Sequence, residues 1–359
     1  MRPHEIAHRR LLHQQISDPA AKEPAEVVAA LGAVQAQDFS GALWAVGLRL
    51  PQATEASIRQ AIADRAIVRT WPMRGTLHFV AAADVRWMLA LLTPRVLAGA
   101  TRRHPQLELD ETIYRRCEHL VTRALEGGQV LTREAVYACW EQAGVSTTRQ
   151  RGYHLLWWLA QRGVLCFGPP AGKHPTFTLL DEWVPSTPPL DREAALAELA
   201  RRYFGGHGPA TLADLVWWSG LKVAEARMAV ALAAPHLEKH TVADTDYWMS
   251  SDSPALPVAA ADLHLLPSFD EYLLGYADRS AVLDPSHTVR INPGSNGVFK
   301  PILVRDGRVA GTWRRTLRTH AVSVTIDPFQ PLPPGETEAL AQATARYARF
   351  VGKPVALPT

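Results

Sequence analysis

Cysteine is scarce: the chain of 359 residues has three, Cys117, Cys139 and Cys166. They are odd in number and widely spaced, which excludes a disulfide framework and gives no paired-cysteine metal or redox motif. Long apolar runs are missing as well. No stretch approaches the roughly 18 residues a membrane span needs, and Arg2, Arg9 and Arg10 at the N-terminus precede no apolar export core. These absences predict a soluble, unexported protein of a reducing cytoplasm. The excess of charge is small too, +3 in all, but it is unevenly spread. From Arg290 to His320 there are seven basic residues, Arg290, Lys300, Arg305, Arg308, Arg314, Arg315 and Arg318, against Asp306 alone, while the remainder is net acidic. Such a stretch suits either a polyanion partner at one face or a solvated basic loop.

What is present suffices for two or three packed domains, since 47% of residues are hydrophobic. Residues 3–16 read as a helix and contain His4-Glu5-Ile6-Ala7-His8, a formal match to the zinc-protease motif. Its position at the fraying start of the chain and the lack of a third ligand argue against a zinc site. The helical run from Glu26 to Val34 then stops at Gln35-Ala36-Gln37-Asp38. Glutamines two residues apart point the same way only where the backbone is extended or turning. A pair of amides can orient a water or hold a leaving group but cannot serve as a strong acid or base. The same pair would also suit an ordinary solvated helix end.

A helix over 55–64 and strands over 66–73 and 76–80, turning at Arg74-Gly75, give the order of a winged helix. Trp71, Leu77 and Phe79 are expected to pack in the sheet, and Arg69, Arg74 and His78 to face out. A helix from Ala83 to about Leu92 is expected to stop or kink at Pro94. Thr132 reads as the N-cap of a helix over 133–142, Ser146 opens a second with Arg149 and Arg151 in its first turns, and strands over 164–167 and 176–180 flank a proline- and glycine-rich wing. After the proline-rich stretch 185–189, Thr211 opens a helix that Gly220 ends, helix 223–234 follows, and two short strands complete a third, diverged unit. From Leu263 short strands and turns dominate, with Asp306-Gly307 a strong hairpin signal, and Thr337–Phe350 reads as a closing helix. The fold class is therefore α+β, mainly α: tandem winged helices over 1–100, 101–185 and 190–260, then a small β-barrel over 261–359.

Gln35-Ala36-Gln37, the run from Arg69-Thr70-Trp71 to His78, His207-Gly208-Pro209-Ala210-Thr211 through Trp217-Trp218-Ser219-Gly220, and Phe269-Asp270-Glu271-Tyr272-Leu273-Leu274-Gly275-Tyr276 together resemble the AlkZ-type winged-helix DNA glycosylases. The resemblance spans residues 20–350 or so. It implies tandem winged helices and a β-barrel around a basic DNA channel, and excision of alkylated guanines, including bulky natural-product adducts and interstrand crosslinks, in base excision repair or self-resistance. It places the catalytic signature of glutamine, apolar residue, glutamine on Gln35 and Gln37; a related branch has aspartate second, and here Asp38 stands beside the motif as a candidate support. The expected partner is duplex DNA carrying alkylated guanine, bound by a monomer at the nucleoid. Position on the wing and hairpins nominates Arg69, Arg74, His78, Arg149, Arg151, Asn296, Lys300, Arg314 and Arg315 as DNA contacts. N7 alkylation makes guanine a cationic, easy leaving group, so the chemistry reduces to positioning a water and stabilising an oxocarbenium-like sugar. No lysine adjoins the motif, which predicts hydrolysis without a Schiff base, and no metal or organic cofactor is implied. The competing expectation is a non-enzymatic winged-helix regulator.

Overall fold

Short polar side chains ahead of apolar helical runs fix where several helices begin. In the computed structural model, which describes residues 1–256, 263–294 and 297–355, the Thr132 and Thr211 hydroxyls accept the amide N–H of Ala135 and Asp214, and Asp38 and Asp110 cap two more helices in the same way. Each cap satisfies a donor that the helix leaves open and contributes about 1 kcal/mol. Both threonine caps stand where the sequence put them. The fold is a mixture of helix and sheet, divided into two compact units: residues 59–195, and residues 1–58 together with 196–359.

In the unit of residues 59–195, antiparallel strands lie side by side in the order Thr76–Ala81, Ile67–Met73, Leu165–Phe167, Thr176–Leu179 and Leu131–Thr132. Two hairpins thus meet where Arg69 pairs with Phe167. The first turns at Arg74 and Gly75, both at positive φ, the geometry a two-residue hairpin turn requires. Helices Glu111–Leu125, Arg133–Gln142 and Arg151–Gln161 contribute Tyr114, Trp140, Leu155 and Leu159 to one core with Trp71, Phe167 and Phe177. Trp71, Leu77 and Phe79 are buried as expected, but His78 is fully buried too. Residues 77–81 are buried on both faces of the strand, so alternation no longer marks an outward side there. The helix Val85–Ala100 runs through Pro94 instead of stopping; the Thr93 hydroxyl donates to Leu89 O at 2.8 Å and Gln161 O at 2.9 Å across that turn.

His154 stacks on Trp157, centroids 5.1 Å apart, beside the edge of His104. Burial pushes its pKa down to about 4. The unfolded chain therefore binds the proton first, and this histidine's stabilising effect is lost as pH falls from about 6.5 through about 4. Denaturant titrations across that window are expected to show a steeper loss of stability in the wild type than in His154→Phe.

In the other unit, the strands Val322–Pro328, Arg308–Leu317, Ile302–Arg305 and Leu263–Leu266 form an antiparallel sheet in that order. Asp306 and Gly307 make its tight turn, both at positive φ. Among the described residues this sheet is open, with Val322–Pro328 and Leu263–Leu266 at its edges, where a closed barrel was expected. Strands of this length and spacing serve either form, and closure needs a pairing between the edges. The closing helix Thr337–Phe350 places Tyr347 edge-on to Trp44 and Trp313, whose indoles donate to Leu265 O and Leu266 O, each at 2.7 Å.

The His4–His8 motif starts the helix Glu5–His13. The Glu5 carboxylate accepts the Arg2 backbone N–H and guanidinium, which hold its pKa at about 2. Among the described residues no three His, Cys, Asp or Glu gather as a metal site, and no helix is long and apolar enough to cross a membrane.

Candidate active site

Helix Pro24–Ala30 ends at Leu31, and Gly32, at φ +74°, turns the chain out of it. A short strand, Val34–Gln35, follows. Extended backbone alternates its side chains: Val34 and Ala36 are fully buried, whereas Gln35 is half-buried and Gln37 exposed. The two amides thus stand on the open side of a strand whose other side is core. Asp38 then caps the helix Phe39–Gly47 through its Oδ1, which accepts Gly41 N at 3.1 Å, and its Oδ2 accepts the Ser268 hydroxyl at 2.9 Å. Both of its oxygens are engaged in holding the turn after Gln37.

Beneath this strand lies a buried polar layer drawn from the two distant motifs. Glu271, 1% exposed, accepts Gln35 N through Oε1 at 3.0 Å and the Trp218 indole N–H through Oε2 at 2.9 Å. His207 Nε2 lies 3.3 Å from the same Oε2. The imidazole stacks on Tyr203, centroids 4.8 Å apart. The preceding residue, Asp270, forms a two-pronged ion pair with Arg49 at 2.9 and 3.0 Å, both side chains fully buried. Arg49 also donates to Gln14 O and Gln14 Oε1, and Gln14 Nε2 donates to the Tyr276 hydroxyl. That hydroxyl donates in turn to His207 O at 2.7 Å, while Tyr203 donates to Gly275 O. Burial raises both phenol pKa values, which keeps these hydroxyls as donors.

Phe269, between Ser268 and Asp270, sits at φ +60°. For a residue with a side chain that region costs about 1–2 kcal/mol. The Asp38–Ser268 bond before it and the Arg49–Asp270 pair after it hold the strained residue in place.

A family model described as DNA glycosylase AlkZ-like matches residues 28–350, nearly the whole chain and every residue of this layer except Gln14. The chain belongs to the AlkZ-like DNA glycosylase family. A curated relative, the interstrand DNA cross-link repair glycosylase of Streptomyces sahachiroi, is 27% identical over 95% of this chain and 94% of its own length. The solved structure of the Streptomyces sahachiroi DNA glycosylase AlkZ matches all of both chains with a TM-score of 0.80 at 25% identity. This AlkZ-like chain is an enzyme that acts on N-glycosyl bonds, in DNA repair.

The nominated DNA contacts of this AlkZ-like glycosylase stand in varied settings. Within residues 59–195, Arg69 is half-buried with its guanidinium over the Phe167 ring, and Arg74 is half-buried at the hairpin turn. His78 does not face out as expected: it is fully buried, with Nδ1 3.0 Å from Thr76 O. Arg149 is exposed, at positive φ ahead of helix Arg151–Gln161. Arg151 donates to Ser146 O, Leu107 O and Glu108 O, so its side chain ties a loop down. In the other unit Lys300 and Arg314 are exposed, and Arg315 reaches over the Tyr347 ring. Asn296 lies outside the described residues. In the sequence, Glu271, His207, Trp218 and Asp270 stand out only as parts of the family motifs. Arg49 carried no signal of its own.

Proposed function

We propose that the chain is a monofunctional DNA glycosylase that hydrolyses the N-glycosidic bond of N7-alkylated guanine in duplex DNA, with bulky adducts and interstrand crosslinks within its range. The observation that supports this most is the pair Gln35 and Gln37 on the open side of a strand whose backbone is anchored to a buried carboxylate. An alkylated N7 already carries the positive charge, so the base departs neutral without a strong acid. Two fixed amides then have one task, to hold the attacking water against the anomeric carbon as positive charge develops on the sugar. Asp38 serves the reaction through the turn that it caps. The Streptomyces relative is a cross-link repair glycosylase, which favours a substrate larger than a methyl adduct.

DNA would be held by its backbone and shape. The helices Arg133–Gln142 and Arg151–Gln161 with the hairpin Leu165–Phe167 and Thr176–Leu179 have the order of a winged helix. Exposed Arg149, Lys300 and Arg314, with Arg69, Arg74 and Arg315, would meet phosphates, and the enzyme would act as a monomer. Incubation with duplexes carrying either 7-methylguanine or a crosslink between N7 atoms of guanine is expected to release free base or to unhook the strands, leaving abasic sites. Binding with sequence preference and no release from either duplex would refute the proposal in favour of a DNA-binding regulator.

A further inference from the structure

We propose that Glu271 is a positioning residue for the glutamine pair, set in place by His207 and Trp218; this rests on the glycosylase reading above. The strand Val34–Gln35 is two residues long. So short a strand makes few ladder bonds, and a slip of one residue would turn Gln35 and Gln37 into the core and Val34 and Ala36 out. A hold from outside the ladder adds to what fixes its register. The Glu271 Oε1 bond to Gln35 N, at 3.0 Å, does so at the catalytic residue itself.

The anchor is rigid because the carboxylate is held from its other side. Trp218 Nε1 at 2.9 Å and His207 Nε2 at 3.3 Å both address Oε2, and all three side chains are buried. His207 has no room to shift: Tyr203 stacks on one face, and its ring lies so near Gly275 that a Cβ there would fall 2.5 Å from Cδ2. The Trp218 ring runs under the turn that opens the strand, 3.2 Å from where a Cβ on Gly32 would stand. A buried carboxylate is costly unless it is fully hydrogen-bonded, and an apolar side chain would serve packing alone at least as well. Its place here is explained by the amide that it holds.

The test compares Glu271→Gln and Glu271→Ala with wild type in three measurements: single-turnover base release, Kd for the damaged duplex, and hydrogen exchange at residues 34–37. Glutamine keeps an acceptor for Gln35 N; alanine has none. The expected result for alanine is a fall in the rate constant of roughly tenfold to a hundredfold, the effect of misplacing a reacting group by about 1 Å, with Kd changed less than about threefold. Exchange at Gln35 speeds up while the rest of the unit stays protected. Glutamine is expected to recover much of the rate. A rate within twofold of wild type for alanine would overturn the proposal, as would unchanged exchange at Gln35. Equal losses in rate and affinity, tracking a general loss of protection, would show a merely structural residue and also overturn it. If wild type releases no base, the glycosylase reading fails by itself, and exchange at Gln35 still decides whether Glu271 anchors the strand.

Discussion

Gln35→Ala and Gln37→Ala are each expected to slow base release in single turnovers by roughly tenfold or more, while DNA affinity and thermal stability stay near wild type. The separation follows from where the two side chains stand. Gln35 is half-buried and Gln37 exposed on the open side of the strand, so truncating either removes little packing, and the bond from Gln35 N to Glu271 belongs to the backbone and survives. On the proposed mechanism, what is lost is a group that orients water in the transition state. The double variant is expected to lose less than the product of the single losses, because two groups that hold one water act as a unit. Single-turnover assays on a 7-methylguanine duplex, beside melting curves of the same preparations, check this. Release that survives both substitutions would move the chemistry elsewhere, with Asp38 the next residue to change.

The largest effect on stability is expected from Asp270→Ala. It leaves the Arg49 guanidinium fully buried without its charge partner, and breaking such a pair from one side costs about 3–5 kcal/mol. Against a whole-domain stability of about 5–15 kcal/mol this is severe, and a fall in Tm of roughly 10 °C is expected. Asp270 also accepts Tyr272 N and adjoins Glu271, so base release is expected to fall as well. Replacing both partners, Arg49→Met with Asp270→Leu, is expected to restore part of the Tm, since an apolar pair leaves no uncompensated charge. A single variant as stable as wild type would show that Gln14 and the carbonyls around Arg49 suffice for its charge.

Much of this could be read locally. The shared direction of Gln35 and Gln37, the threonine caps and the Asp306-Gly307 turn depend on neighbours within a few residues, and the sequence displays such patterns directly. The helix expected to run to Val34 instead ends at Ala30, because Gly32 turns the chain and Val34 is already extended. His78 escaped because its strand is buried on both faces, where alternation gives no sign of an outward side. The expected barrel is an open sheet among the described residues, since strand spacing does not encode closure. Glu271 escaped for another reason. It meets Gln35 across 236 positions of chain, and no periodicity or cap carries information that far. The family motifs flagged its segment without showing what its carboxylate does.

That separation also bears on how the enzyme comes off the ribosome. Gln35 is synthesised early, but its anchor follows on the order of tens of seconds later at ordinary elongation rates. Residues 59–195, a continuous unit, emerge complete in the meantime. If Glu271 positions the glutamine pair as proposed, the strand Val34–Gln35 gains this anchor only after Glu271 has left the exit tunnel. A nascent chain stalled before that point would hold Gln35 and Gln37 without this anchor and, on the proposed mechanism, would share the slowed base release expected of Glu271→Ala.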